Sequence, residues 1–178
     1  MDEDIQLIEC YLSGDDSAMA KLIDKYQKEV YFFVYRFLGD KEDAKDVTQT
    51  IFIKLFRKIK QFKRKSSFKT WLFSIAVNSC KNFKKHKYIS ISSEDMSRIP
   101  DSKDIQTEVI KKEQKEMIKR GLLSLPKKQR ITLILRIFHE LPYKDISKIM
   151  RCSESTAKSN FFFGIERLKE IIGEKYEL

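Results

Sequence analysis

The sequence predicts an all-α protein of two small helical domains joined by a flexible linker. Three observations carry that expectation. Apolar residues recur at three- and four-residue steps along most of the 178 residues, the spacing of one buried helix face. Only five Gly and three Pro punctuate the chain, too few for the turns of a β-sandwich. The periodicity stops once, in YISISSEDMSRIPDSKDIQTE, which is rich in Ser and Asp, carries Pro100 and reads as a linker. The expected division is a first domain over residues 1–90, a linker over 91–107 and a second domain over 108–178.

Taken in order, the opening MDEDIQLIEC is acidic, the wrong sign for a secretory signal, and no helix is assigned to it. DDSAMAKLIDKYQKEVYFFVYRFLGD reads as a helix capped by Ser17 and stopped at Gly39. Met19, Leu22, Ile23, Tyr26, Val30, Phe33 and Phe37 form its apolar stripe. DKEDAKDVTQTIFIKLFRKIKQF predicts a second long helix, with acids in its first turns and bases at its end, as the helix dipole favours. The loop KRKSS then leads into FKTWLFSIAVNSCKNFKKHK. Beyond the linker the pattern resumes at Val109, Ile110, Met117, Ile118 and Leu122, with Gly121 and Pro126 predicting an end and a restart. KKQRITLILRIFHE, YKDISKIM and SESTAKSNFFFGIERLKEII are three further helices.

Charge is unevenly spread. The formal net charge of +10 hides twelve Asp/Glu against six Lys/Arg in residues 1–50, and twelve Lys/Arg with no acid in residues 51–90. An acidic segment therefore precedes a purely basic one, and a polyanionic partner is expected for the latter. On a helix, Phe68, Leu72, Ile75, Ser79 and Phe83 share one face, expected to be buried. Ser74, Asn78, Lys81 and Lys85 line a polar stripe with Trp71 at its margin. Amide, hydroxyl and ammonium groups beside an aromatic suit a nucleic-acid strand: lysines neutralise phosphates, and Asn can bond a base edge. Phe62, in the basic loop QFKRKSS, is the better stacking or pocket residue, because loops expose rings that helices bury. The blander alternative, an amphipathic core helix with a solvated face, fits Trp71 better than it fits the lysines.

The C-terminal half has the layout of a helix-turn-helix: a helix, a short helix, a turn at RCSE and a longer helix. Ile146, Ile149 and Met150 are expected to pack on Ala157, Phe161, Ile165 and Leu168, with Ser153 or Ser155 as cap. That leaves Glu154, Thr156, Lys158 and Ser159 outward at the N-terminal end, where recognition helices meet DNA. His86 and His139 have no Cys or carboxylate at metal spacing, and there is no Gly-rich phosphate loop. A binding protein with no metal and no cofactor is expected, not an enzyme. The cysteines Cys10, Cys80 and Cys152, odd in number and far apart, read as reduced thiols of a cytoplasmic protein. No apolar run reaches the length of a membrane span.

These segments together resemble the small bacterial sigma factors of the extracytoplasmic-function class. DKEDAKDVTQTIFIKLFRKI resembles the helix that grips the RNA polymerase β′ clamp, FKTWLFSIAVNSCKNFKKHK the helix that melts and holds the −10 promoter element, and LPKKQRITLILRIFHELPYKDISKIMRCSESTAKSNFFFGIERLKE the region that reads the −35 element. The resemblance implies core RNA polymerase (β′ clamp and β flap), promoter DNA and an anti-sigma factor as partners. It implies Asp43, Asp46, Gln49, Phe52 and Phe56 as polymerase contacts, although Phe52 and Phe56 also fit a core. It implies Phe62 and Asn78 as the pocket for a flipped −10 base, with Lys63, Arg64, Lys81, Lys84 and Lys85 holding that strand's backbone beside Trp71 and Ser74 of the polar stripe. For the −35 element it implies Lys158 and Ser159, to which the helix-turn-helix layout adds Glu154, Ser155, Thr156 and Phe162; the alternative for Phe162 or Phe163 is to cover an apolar patch or a partner protein. Two departures stand out. Arg151 occupies a turn position where the family carries Gly or Asn, and Asn160, Phe162 and Phe163 stand where it carries basic residues. A helix-turn-helix repressor acting alone, or a single-strand or RNA-binding module, would account for parts of this pattern. Neither gives a use to Asp46 and Gln49 within an apolar stripe.

Overall fold

The computed structural model describes residues 2–91 and 106–173, with side chains described over 2–83 and 114–173. Among these residues eight α-helices follow one another: α1 (Glu3–Leu12), α2 (Asp16–Leu38), α3 (Lys41–Lys58), α4 (Phe68–Ile91), α5 (Gln106–Ser124), α6 (Lys127–Leu133), α7 (Tyr143–Met150) and α8 (Glu154–Gly173). A short 3-10 turn, Ile59–Gln61, ends α3, and a wider π-type turn, Ile134–Phe138, continues α6. No strand occurs among the described residues. The helices reach further into the expected linker than its composition suggested, so that residues 92–105 of it lie outside the described residues.

The unpredicted element is α1. Asp2 caps it, accepting the Asp4 N–H at 3.1 Å, and Ile8 is buried against α2. Its other anchor is polar. The buried Asp4 carboxylate accepts the Tyr26 hydroxyl at 2.5 Å and the Lys25 ammonium at 2.7 Å, and Glu3 takes the same ammonium at 2.6 Å. The hydrogen bonds to Asp4 and Glu3 raise the Lys25 pKa, and burial together with the bond to Asp4 raises that of Tyr26.

Helix α2 is capped by Asp15, whose carboxylate accepts the Ser17 N–H at 2.9 Å, so Ser17 is the second helical residue and not the cap. At the other end Gly39 adopts φ +84 and donates to the Tyr35 carbonyl at 2.8 Å, the left-handed stop that glycine allows without strain. A side chain there would also collide with Leu123, 2.6 Å from an ideal Cβ. The stripe of α2 is buried as expected, save Ile23, which is half-exposed. Asp40 caps α3 through the Asp43 N–H at 2.9 Å. Gly121 does not end α5, which continues to Ser124; it lets α8 come close, since a Cβ would lie 2.5 Å from Leu168.

The two halves pack on each other. One apolar core runs from Met19, Phe33, Leu55 and Leu72 of the first half into Ile131, Ile134, Ile146, Ile149 and Ala157 of the second. Its effect on α4 is large. Phe68, Leu72, Ile75 and Ser79 are buried as expected and Phe83 only half-buried, while Phe73, Ala76, Val77 and Cys80 are buried as well. The extra burial has a physical cause, because α7 packs against α4 and Phe73 meets Phe33 of α2 and His139. The buried Arg130 joins the halves further, donating to the Phe37 carbonyl and the Leu125 carbonyl at 3.0 Å each, and to that of Leu123. His139 is wedged between Phe33 and Phe73, with ring centroids 5.9 and 4.7 Å away.

Candidate functional site

Three surfaces carry the residues singled out in the sequence. The first is a groove of about 720 Å³ between α2 and α3, lined by Ile23, Tyr31, Gln49, Phe52, Ile53 and Phe56 among others. It exists because Ile51–Phe56 places five apolar residues in six, more than one buried face can hold. Ile51 and Leu55 go inward and Phe52 is nearly covered, while Ile53 and Phe56 stay 45 % and 44 % exposed. Phe56 is therefore not core, the alternative its apolar neighbours had left open; Tyr11 of α1 meets its ring edge-on at 6.4 Å. Gln49 faces the groove and Asp46 is exposed one turn earlier, with its carbonyl accepting the Thr50 hydroxyl. Asp43, half-buried, is not among the lining residues. Ile53 was missed, though the apolar excess of α3 announces it.

The second surface is the outer stripe of α4. Helical angles place Trp71, Ser74, Asn78, Lys81 and Asn82 together. Asn78 and Asn82 are exposed, and Trp71, Ser74 and Lys81 half-buried. Asn82 also went unremarked, one turn beyond Asn78. At the N-terminal end Phe62, Phe68 and Trp71 form an aromatic cluster, Phe62 lying 5.1 Å from Trp71 and 5.9 Å from Phe68. Ser74 Oγ donates to the Trp71 carbonyl at 2.6 Å, leaving a lone pair for another donor. Lys63 and Arg64 are exposed beside the cluster; Arg64, in the left-handed region at φ 54, pairs with Glu9 of α1 at 2.6 Å. The pKa of Lys81 is lowered, first by burial and then by Lys128 and Arg151 of the second half. Cations thus converge where the halves meet. Lys84 and Lys85 belong to α4, but their side chains lie outside the described residues.

The third surface is the outward face of α8. Ser153 caps the helix, its hydroxyl accepting the Thr156 N–H at 3.0 Å. Glu154, Ser155, Thr156, Lys158, Ser159, Phe162 and Phe163 are all exposed. Inward, Ala157 joins Ile146 and Ile149 in the main core, whereas Phe161, Ile165 and Leu168 pack on Leu122, Leu125 and Leu133. The turn before it bends at Arg151, in the left-handed region with φ 54 and ψ 53. A non-glycine residue there is strained by about 1–2 kcal/mol. The arrangement is a helix-turn-helix that presents hydroxyls and one lysine, followed by two phenylalanines.

Known proteins agree with this layout. Residues 22–88 match the sigma-70 region 2 family and residues 115–168 the sigma-70 region 4 family. The RNA polymerase sigma-H factor of Pseudomonas aeruginosa is 30 % identical over 96 % of this chain and 94 % of its own. The ECF RNA polymerase sigma-E factor of Escherichia coli is 31 % identical over 96 % of this chain and 93 % of its own. The chain belongs to the extracytoplasmic-function sigma factors. Like the rest of its family, this sigma factor binds core RNA polymerase, directs it to promoters for initiation, and is not itself an enzyme. Two solved structures share its fold: the sigma factor RpoE of Bartonella quintana in complex with the anti-sigma factor NepR, with TM-score 0.70, 21 % identity and coverage of 86 % of this chain and 96 % of that one; and CnrH in complex with the cytosolic domain of CnrY, with TM-score 0.75, 15 % identity and coverage of 97 % and 99 %. No helix among the described residues is long and apolar enough to cross a membrane.

Proposed function

We propose that this sigma factor divides its work among the three surfaces. The α2–α3 groove seats the polymerase clamp helix, with Gln49, Phe52, Ile53 and Phe56 as the floor and Asp46 at the rim. The α4 stripe holds the non-template −10 strand: Asn78 and the Phe62–Trp71 cluster receive a flipped base, while Lys63, Arg64 and Lys81 face phosphates. Unstacking that base costs a few kcal/mol, which capture offsets. The α8 face reads the −35 element through Ser155, Thr156, Lys158, Ser159 and Phe162. The observation that carries the reading is the groove, because two large apolar side chains beside Gln49 stand nearly half exposed over a volume large enough for a helix ridge.

The packed arrangement of the halves belongs to the factor before it engages DNA. Elements named −10 and −35 lie roughly 25 base pairs apart, about 85 Å at 3.4 Å per pair, whereas a compact chain of this length has a radius of gyration of only about 16 Å. Binding both elements requires α4 and α7 to part. An anti-sigma factor is the natural holder of the packed state. A second groove of about 510 Å³ supports this, running between α2, α5 and the π-type turn where Arg36 is stacked on Phe32 and Phe138 at 5.4 and 4.1 Å. The place of action is the cytoplasm, where the polymerase is. Changing Asp46 and Gln49 together to Ala tests the docking surface: both are exposed, so the fold stays intact while co-purification with core polymerase falls. Undiminished co-purification would count against the assignment.

A further inference from the structure

Phe162 and Phe163 are 61 % and 56 % exposed, the most exposed large apolar side chains among the described residues. Their rings stand edge to face, 5.5 Å apart. Two bare rings on a surface helix have a hydration cost that no contact among the described residues relieves. Helical angles put Ser155, Ser159 and Phe162 on one stripe, with Phe163 on its flank. Ser155 and Phe162 are about 10 Å apart along the axis at 1.5 Å per residue, a span of three base pairs. The rings therefore continue the hydroxyl stripe into the region where a recognition helix lies in the major groove. Glu166, the next residue outward, is paired with Lys169 at 2.9 Å and does not offer an unpaired carboxylate to the phosphates.

Area decides between DNA and a protein partner. The exposed fractions of two rings of about 150–250 Å² each leave on the order of 200 Å². A stable protein interface takes about 800 Å² from each partner, and the neighbours of the pair along α8 are polar: Lys158, Ser159, Arg167 and Lys169 exposed and Glu166 half-buried. A base methyl needs no more than one ring. In the major groove the thymine 5-methyl is the apolar feature, and phenylalanine is a side chain that contacts it. Arg or Lys at these positions would favour guanine by bonding O6 and N7. Phenylalanine cannot make those bonds.

We propose that Phe162 and Phe163 read thymine methyl groups at neighbouring base pairs of the −35 element, so that this factor prefers thymine where basic residues would select guanine. The inference rests on α8 being the −35 recognition helix. The test uses full-length factor reconstituted with core RNA polymerase, selecting duplexes from a promoter library randomised in the −35 region. The best duplex is then resynthesised with deoxyuridine for each thymidine in turn, which removes only the methyl.

The expected result is thymine enrichment at adjacent positions and about a fourfold loss of binding per methyl removed there, the worth of one buried carbon. A variant with Phe162→Ala and Phe163→Ala should bind thymine and uracil duplexes equally. Because both rings are exposed, the variant should keep its helical content and its salt dependence. A selected −35 element with no thymine enrichment, or one indifferent to methyl removal, overturns the methyl reading and leaves the recognition helix standing. Loss of polymerase binding in the variant, with methyl sensitivity retained, reassigns the pair to a protein contact. Absence of any −35 preference overturns both readings.

Discussion

Replacing Phe56 by Ala is the sharpest probe of the polymerase-docking groove. The ring is 44 % exposed and already meets water, so its removal subtracts little from the core. With a full side chain of about 200 Å², roughly 90 Å² would be covered when a helix ridge fills the groove. At about 25 cal/mol per Å² that is worth some 2 kcal/mol, or about a thirtyfold weakening of affinity. This is an upper value, because association converts area to affinity incompletely. The same change at Phe52, nearly covered already, should instead lower stability by about 3–5 kcal/mol. The assay is competition for core polymerase against a labelled wild-type factor, with melting temperature measured on the same samples. Unchanged affinity for Phe56→Ala with an intact fold would refute the groove as the docking surface. A large drop in melting temperature would refute the claim that the ring lies outside the core.

Asn78→Ala should reduce open-complex formation more than closed-complex binding, as read by permanganate footprinting against filter retention; equal loss of both would remove Asn78 from the base pocket. A pH experiment follows from His139. Burial lowers its pKa from 6.5 to about 4, against the opposing pull of Glu29, whose carboxylate stands 3.6 Å away, beyond hydrogen-bond reach; Lys69 and Arg36 also lower it. The packed state therefore binds fewer protons than the separated one between these values. Its stability is complete above about pH 6.5 and declines as pH falls toward 4. His139→Phe preserves the stack with Phe33 and Phe73 and should flatten that dependence in denaturant titrations at pH 7.5 and 4.5; an unaltered slope would place the titrating group elsewhere.

What the sequence disclosed follows from which forces are local. Helices α2, α3, α7 and α8 were legible because their apolar stripes and ends are written in neighbouring residues, and Ser153 caps α8 as expected. The turn at Arg151 was flagged only through the family resemblance, as a position usually Gly or Asn, and its left-handed backbone came from the structure. Helix α1 was not, because a buried Asp4 bound to Tyr26 and Lys25 carries no hydrophobic signal. Nor was the second buried face of α4, where Phe73 meets Phe33 of α2 and His139 and the second half, α7 included, packs on the helix. Arg130 reaching the Phe37 carbonyl spans 93 residues, and nothing near either position announces it. The residues of the three surfaces were legible in outline: the α4 stripe came from helical spacing, the α8 face from the helix-turn-helix layout and Phe56 from the family resemblance, whereas Ile53 needed the observation that five apolar residues in six cannot all be buried. That excess lay in plain view as Ile51–Phe56.

The measurement that bears most directly on the whole account is promoter-specific initiation. Purified factor is added to core RNA polymerase from the same organism, and transcripts are mapped from genomic fragments. The account predicts discrete start sites that core enzyme alone does not use, sharing two elements upstream, and their loss when Asp46 and Gln49 are both Ala. A factor that leaves core polymerase without any new start site would contradict it.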